Sequence, residues 1–290
     1  MKERIITGIC IGVVCIPILL FSEYIIYPIF LGLLSVLAIW ELLRVLGCHK
    51  LLKVALPSYL LGGVLPIFAY KDFFSYEKHA DYLLIVATAV FAYLLYLAAV
   101  CVFEKETYYR KDRSSRRSIV DFGKIASVFM AVTYVSVSFS AMSLTRYIKN
   151  GEYVFAMVFI AAWSCDVFAY FTGRLFGKHK LAPHLSPKKT VEGSIGGVIF
   201  AILSCVLYGF IIHKATGLES NYVVLGVIGL VLSVFSQVGD LFASLIKREY
   251  GVKDYSKIMP GHGGIMDRFD SILSISSILL LICIICAPFN

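Results

Sequence analysis

Four acidic residues stand where acidic residues are costly. Glu41, Asp166 and Asp240 interrupt long runs of Leu, Val, Ile and Phe, and Asp267 opens another such run. A carboxylate at the centre of a membrane helix costs about 2.5–3.5 kcal/mol on insertion scales, so each needs a purpose. At helical spacing, Asp240, Ser244, Lys247 and Arg248 share one face, which Ser233, Ser236 and Gln237 extend. Asp267, Asp270, Ser274 and Ser277 make a second polar face, and Asp166, Tyr170, Gly173 and Arg174 a third. Serines alone would suggest hydrogen bonds that merely hold a bundle together. Aspartates beside Lys247, Arg248 and Arg268 point instead to a charged ligand.

The segments between these faces carry complementary chemistry. Gly261, Gly263 and Gly264, in Met259-Pro260-Gly261-His262-Gly263-Gly264, precede the apolar run that Asp267 opens. Successive glycine N–H groups at a helix start can form an anion nest, and the helix dipole favours a phosphate there. Bracketed by aspartates and by basic residues, the loop suits a polyphosphate with a divalent metal, since Mg²⁺ takes oxygen ligands from one or two carboxylates and substrate phosphates. His262 reads as a hydrogen-bond donor to phosphate. A second basic run, Ser186-Pro187-Lys188-Lys189-Thr190-Val191-Glu192-Gly193, stands just before another apolar stretch. Its lysines are placed to reach phosphates at a membrane surface. The other histidines have no ligand spacing.

These residues need elements to hold them, and the composition says which kind. Of 290 residues 59% are hydrophobic and 16% charged, and the mean hydropathy is +0.82. Soluble domains carry roughly 25% charged residues. The expected fold is an all-α polytopic membrane protein of about nine spans, near 5–21, 24–46, 54–70, 82–103, 124–145, 152–174, 195–213, 222–246 and 269–287. The first run is followed by no small-residue cleavage site and reads as a retained helix. Val135 to Ser140 alternate apolar and polar like a strand, yet inside an unbroken apolar run they are expected to be helical. With the N-terminus in the cytoplasm and the C-terminus outside, 22 of the 27 Lys and Arg residues fall on the cytoplasmic side, as the positive-inside rule requires. That bias accounts for most of the net charge of +8 without nucleic acid as a partner. The expected location is the cell membrane, multi-pass, of the bacterial inner-membrane type, with the candidate site facing the cytoplasm. Residues 1–150 supply five spans, and 151–290 supply the chemistry-bearing spans and their loops. The basic 104–124 loop reads as solvated and lying on anionic headgroups. Gly8-x-x-x-Gly12 would allow close helix packing and a homodimer. The eight cysteines, including Cys283-x-x-Cys286, read as inert thiols.

Taken together, Ser244-x-x-Lys247-Arg248, Lys253-Asp254-x-Ser256, Pro260-x-His262-Gly263-Gly264 and Asp267-Arg268-x-Asp270 closely resemble the C-terminal motif of the phosphatidate cytidylyltransferases, or CDP-diacylglycerol synthases. Asp166-x-x-Ala169-Tyr170-x-x-Gly173-Arg174 and Ser186-Pro187-Lys188-Lys189-Thr190-x-Glu192-Gly193 resemble that family too, so the likeness spans roughly 160–275. Met259 stands where the pattern usually has Leu, Ile or Phe. The resemblance implies CTP and phosphatidate as substrates, membrane lipids as surroundings, and Mg²⁺ or Mn²⁺ held by Asp240 and Asp267. Lys188, Lys189, Lys247, Arg248 and Arg268 would then neutralise phosphates, and Asp166 and Asp270 would orient those cations or bind water on the metal. Thr190, Glu192, Lys253, Asp254, His262, Gly263 and Gly264 would contact substrate. Two alternatives stay open: a lipid or polyprenol kinase or nucleotidyltransferase with another acceptor, and an ion-coupled transporter. A transporter would hold its charges at the midplane, in broken helices of paired halves.

Overall fold

The structure, a computed structural model, describes residues 13, 17–70, 79–110, 121–261 and 263–289. Helices α1 (Ile26–Val45), α2 (Leu52–Phe68), α3 (His79–Arg110) and α4 (Phe122–Tyr147) precede a single turn, α5 (Gly151–Val154), that leads into α6 (Ala156–Phe176). A short antiparallel hairpin follows, β1 (Lys180–Ala182) and β2 (Ser186–Thr190), and then α7 (Val191–Thr216), α8 (Tyr222–Glu249) and α9 (Met266–Ile285). Among the described residues, seven helical stretches, with 151–176 taken as one, are long and apolar enough to cross a membrane, and α2 is a shorter apolar helix of 17 residues. The chain is therefore a mostly helical, multi-pass membrane protein. Residues 5–12 and 14–16 of the expected first span 5–21, the Gly8 and Gly12 pair among them, lie outside the described residues.

Two expectations need correction. The 174–192 segment is not plain loop, because Lys180 pairs with Thr190 and Ala182 with Ser186 across a tight turn. The 104–124 segment begins as helix, since α3 continues to Arg110. The Val135–Ser140 alternation is helical, as expected, inside α4. That helix starts where the Asp121 carboxylate accepts the Lys124 N–H at 2.8 Å, a side-chain cap on an otherwise unsatisfied donor.

Helix α4 lies at the middle, packed by α1, α2 and α9, while α6, α7 and α8 form the other flank. The larger of two hydrophobic core clusters runs from Tyr27 to Phe289. Much apolar surface stays on the outside, for example Leu84, Phe91 and Phe103 on α3, as expected of helices whose solvent is lipid. The most extensive helix pairing is between α6 and α7. A Cβ on Gly193 would press on the Ala169 carbonyl oxygen at 2.6 Å, and one on Gly197 on the Cys165 carbonyl oxygen at 2.8 Å. Small residues of this kind let membrane helices touch along their backbones. The seam brings the Asp166 stripe of α6 against the first turn of α7.

Several serines and threonines of these helices bond backwards within their own helix. Ser164 donates to the Ile160 carbonyl, Thr172 to Phe168, Ser233 to Leu230, Ser274 to Ser271 and Ser276 to Ile272. Such bonds satisfy a hydroxyl locally without tying helices together. On the polar stripes this holds for Ser233 and Ser274.

Candidate active site

A cavity of about 330 Å³ opens where α6, the hairpin, α7 and α8 converge. Ligand sites commonly measure about 300–1,000 Å³. Asp166, Tyr170, Gly173 and Arg174 line it from α6, Lys188 and Lys189 from β2, and Asp240 from α8. Thr190 closes the corner as the cap of α7, its Oγ1 accepting the Gly193 N–H at 3.2 Å. Residues expected to work together from three separate sequence runs thus share one wall.

Charge organises this cavity. Lys189 Nζ stands 2.5 Å from Asp240 Oδ2, and the two side chains are 25% and 28% exposed. Asp166 and Asp270 both feel the negative charge of Asp240, offset by Lys189 at Asp166 and by Lys247 at Asp270. Three helices therefore direct carboxylates at one region, with a lysine on either side. Among the described residues no three His, Cys, Asp or Glu side chains lie close enough to hold a metal unaided. An oxygen-only set of one or two carboxylates completed by substrate phosphates is the donor chemistry that suits Mg²⁺.

The second cluster surrounds Asp267. Lys247 Nζ donates to its Oδ1 at 2.8 Å, and the N–H groups of Tyr255 and Gly264 donate to Oδ2 at 2.8 and 3.0 Å. The Lys247 ammonium also lies over the Tyr255 ring, 5.4 Å from its centre, a favourable cation–π placement. The Tyr255 hydroxyl donates to the Ala243 carbonyl at 2.9 Å. Burial, reinforced by the negative charge of Asp267, pushes this phenol above its ordinary range, so it stays a neutral donor.

The N–H groups of the glycine loop and of the residues after it have partners within the protein. Gly263 N–H donates to the Met259 carbonyl at 3.0 Å, Gly264 N–H to Asp267, and the next two N–H groups, of Ile265 and Met266, to Glu41 at 2.9 and 2.8 Å. Of the nest glycines, Gly263 thus gives its N–H to a backbone carbonyl and Gly264 to a carboxylate of the protein itself. Gly263 has φ +88°, and a Cβ on Gly264 would overlap the Glu41 carboxylate. These glycines are required by a turn and by a close approach.

The remaining candidates separate by position. Glu192 points away from the cavity lining. It accepts the N–H groups of Lys178 and His179 at 3.0 and 3.2 Å, and its Oε1 stands 2.7 Å from His179 Nδ1. It pins the entry of the hairpin to the first turn of α7, and His179 has a partner that spacing did not suggest. Arg248, Lys253, Asp254 and Arg268 are exposed at the end of α8, along the connecting loop and at the start of α9, while Asp270 is buried, its Oδ1 accepting the Ser271 N–H at 2.8 Å. His262 lies outside the described residues. Sequence reasoning missed the lining residues Leu181 and Ser194, and treated Gln237 only as part of a polar stripe. Ser194 Oγ donates to Gln237 Oε1, and Gln237 Nε2 donates back to the Ser194 carbonyl at 3.3 Å. Gln237 stands three residues before Asp240, one helical turn, which was the available signal.

Comparison with known proteins agrees with the geometry. The model of the cytidylyltransferase family matches residues 2–286. The chain is 34% identical over 282 residues to a phosphatidate cytidylyltransferase of Bacillus subtilis (strain 168), covering 96% of each chain. Similar relatives of the same name come from Staphylococcus saprophyticus, 33% identical over 285 residues, and Staphylococcus haemolyticus, 33% over 284, each covering 98% of this chain and 99% of the relative. With nearly its whole length matched, the chain belongs to the cytidylyltransferase family.

Proposed function

We propose that this chain transfers the cytidylyl group of CTP to phosphatidate, giving CDP-diacylglycerol and pyrophosphate for phospholipid synthesis at the cytoplasmic face of a cell membrane. The observation that carries this reading is the meeting of Asp166, Arg174, Lys188, Lys189, Thr190 and Asp240 around one cavity. A phosphate oxygen of the lipid attacks the α-phosphorus of CTP. The new P–O bond forms as the α–β anhydride bond breaks, and pyrophosphate leaves. The nucleophile is already an anion, so no activated serine or cysteine is required. The protein's part is to align two polyanions and to neutralise their charge.

Lysines and carboxylates supply that neutralisation by exchanging partners. Lys189 now pairs with Asp240, and Lys247 with Asp267. When substrates arrive, the lysines turn to phosphates, joined by Lys188 and Arg174 at the cavity wall and by Arg248 and Arg268. Mg²⁺ or Mn²⁺, when bound, would be held by the freed carboxylates of Asp240 and Asp267 with phosphate oxygens, and would withdraw charge from the transferring group. Asp166 and Asp270 hold the surrounding cations in place. The 22 Lys and Arg residues on the site's side of the membrane support a cytoplasmic orientation.

The test is purified protein in detergent with labelled CTP and phosphatidate, following label into lipid and release of pyrophosphate. Label that enters lipid only with another acceptor, such as a polyprenyl phosphate or diacylglycerol, would refute the assignment.

A further inference from the structure

Glu41 belongs to α1, far along the chain from every residue of the site, yet both of its oxygens are bound there. It is fully buried. Ser256 Oγ donates to Oε1 at 2.5 Å, Ile265 N–H to Oε1 at 2.9 Å and Met266 N–H to Oε2 at 2.8 Å. The two N–H groups stand at the start of α9, where a helix leaves its first donors without internal partners. The positive end of the helix dipole favours an anion at that place. Filling the space with neutral side chains would serve packing alone. A buried charge is expensive unless fully hydrogen-bonded, so its presence calls for a use beyond packing.

That use follows from what the bonded segment carries. Gly264, enclosed between Glu41 and Asp267, gives its N–H to Asp267. Asp270 lies one turn into α9, and its charge is felt together with those of Asp240 and Asp166. We propose that Glu41 is a positioning residue for cytidylyl transfer. By fixing Ser256 and the first turn of α9, it sets the places of Asp267 and Asp270 relative to Asp240. The N-terminal half then contributes to the reaction by geometry, without touching substrate. This proposal rests on the function proposed above.

The experiment compares Glu41→Gln, Glu41→Asp and Ser256→Ala with the parent protein. It reads kcat, the KM for CTP, Tm in detergent, and hydrogen exchange of the amides between 255 and 268. Displacing reacting groups by about 1 Å can cost on the order of 100-fold. Glu41→Gln is expected to lower kcat by roughly 10- to 100-fold, to change the KM for CTP by less than about threefold, and to speed exchange at Ile265 and Met266. Glu41→Asp, which keeps the charge on a shorter arm, should fall between. Ser256→Ala should lose less, and adding it to Glu41→Gln should cost almost nothing more, since the two act as one unit. A fall in Tm or yield with an unchanged kcat for the folded fraction would make Glu41 a packing element and overturn the proposal. If Glu41→Gln does not fold, an unaltered kcat in Ser256→Ala overturns it equally. Should the parent protein make no CDP-lipid, the function fails, and unchanged exchange at Ile265 and Met266 in Glu41→Gln would then overturn the positioning claim on its own.

Discussion

Replacing Lys189 by Gln removes the cation that stands 2.5 Å from Asp240 and lines the cavity beside Lys188 and Arg174. Two consequences can be separated. First, a phosphate bound there loses a charge-assisted hydrogen bond, worth about 1.5–3 kcal/mol. Each 1.4 kcal/mol is a factor of ten, so kcat/KM should fall by roughly 10- to 150-fold. Second, Asp240 is left facing Asp166 and Asp270 without its direct counter-ion. Both partners of the pair are less than a third exposed, so solvent cannot fully screen that repulsion, and Tm should drop as well. The double variant Lys189→Gln with Asp240→Asn divides the effects. Removing the stranded charge should restore Tm, while activity stays lost. The assay is the initial rate of label transfer from CTP to lipid, with thermal unfolding in the same detergent. Activity of Lys189→Gln within twofold of the parent, or recovered activity in the double variant, would refute a phosphate-binding role and leave Lys189 as the counter-ion of Asp240.

Asp240→Asn and Asp267→Asn should each abolish most activity, and combining them should cost little more, because residues that act as a unit are strongly non-additive. A metal titration decides this, since two modest and multiplicative losses with unaltered metal dependence would defeat a shared role. The same pair should differ in stability. Asp267 holds Lys247 and two backbone N–H groups, so Asp267→Asn should lower Tm more than Asp240→Asn does. Topology is checked with single cysteines in a cysteine-free variant: an impermeant reagent should label position 219 in intact cells and position 253 only after permeabilisation, and the opposite pattern would reverse the orientation. Gly197→Val should push α7 away from the Cys165 carbonyl, destabilising by about 1–3 kcal/mol as overpacking typically does. A parent-like Tm and activity would deny the α6–α7 seam its positioning role.

The class of this protein was legible in the sequence because lipid imposes one blunt rule. Every backbone group must be satisfied within the membrane, so apolar runs of sufficient length become helices whatever their neighbours are. For the same reason the alternating stretch Val135–Ser140 is helix. The polar stripes were legible too, since residues three, four and seven apart share a helix face by local geometry alone. That is why Asp166, Tyr170, Gly173 and Arg174 indeed line one wall.

Which stripe meets which was a different matter. Helices that are apolar on most sides carry little local signal of the face that turns inward, and backbone donors leave no trace in the residue pattern. Only the tertiary structure decided that Lys189 of the hairpin meets Asp240 of α8, and that Glu192 holds the backbone turn at Lys178 and His179. It also decided that Gly264 gives its N–H to Asp267, and Ile265 and Met266 give theirs to Glu41. An anion nest looks the same in sequence whether a phosphate or a carboxylate fills it. The choice was made by α1, which brings a buried charge to the start of α9 from the other half of the chain.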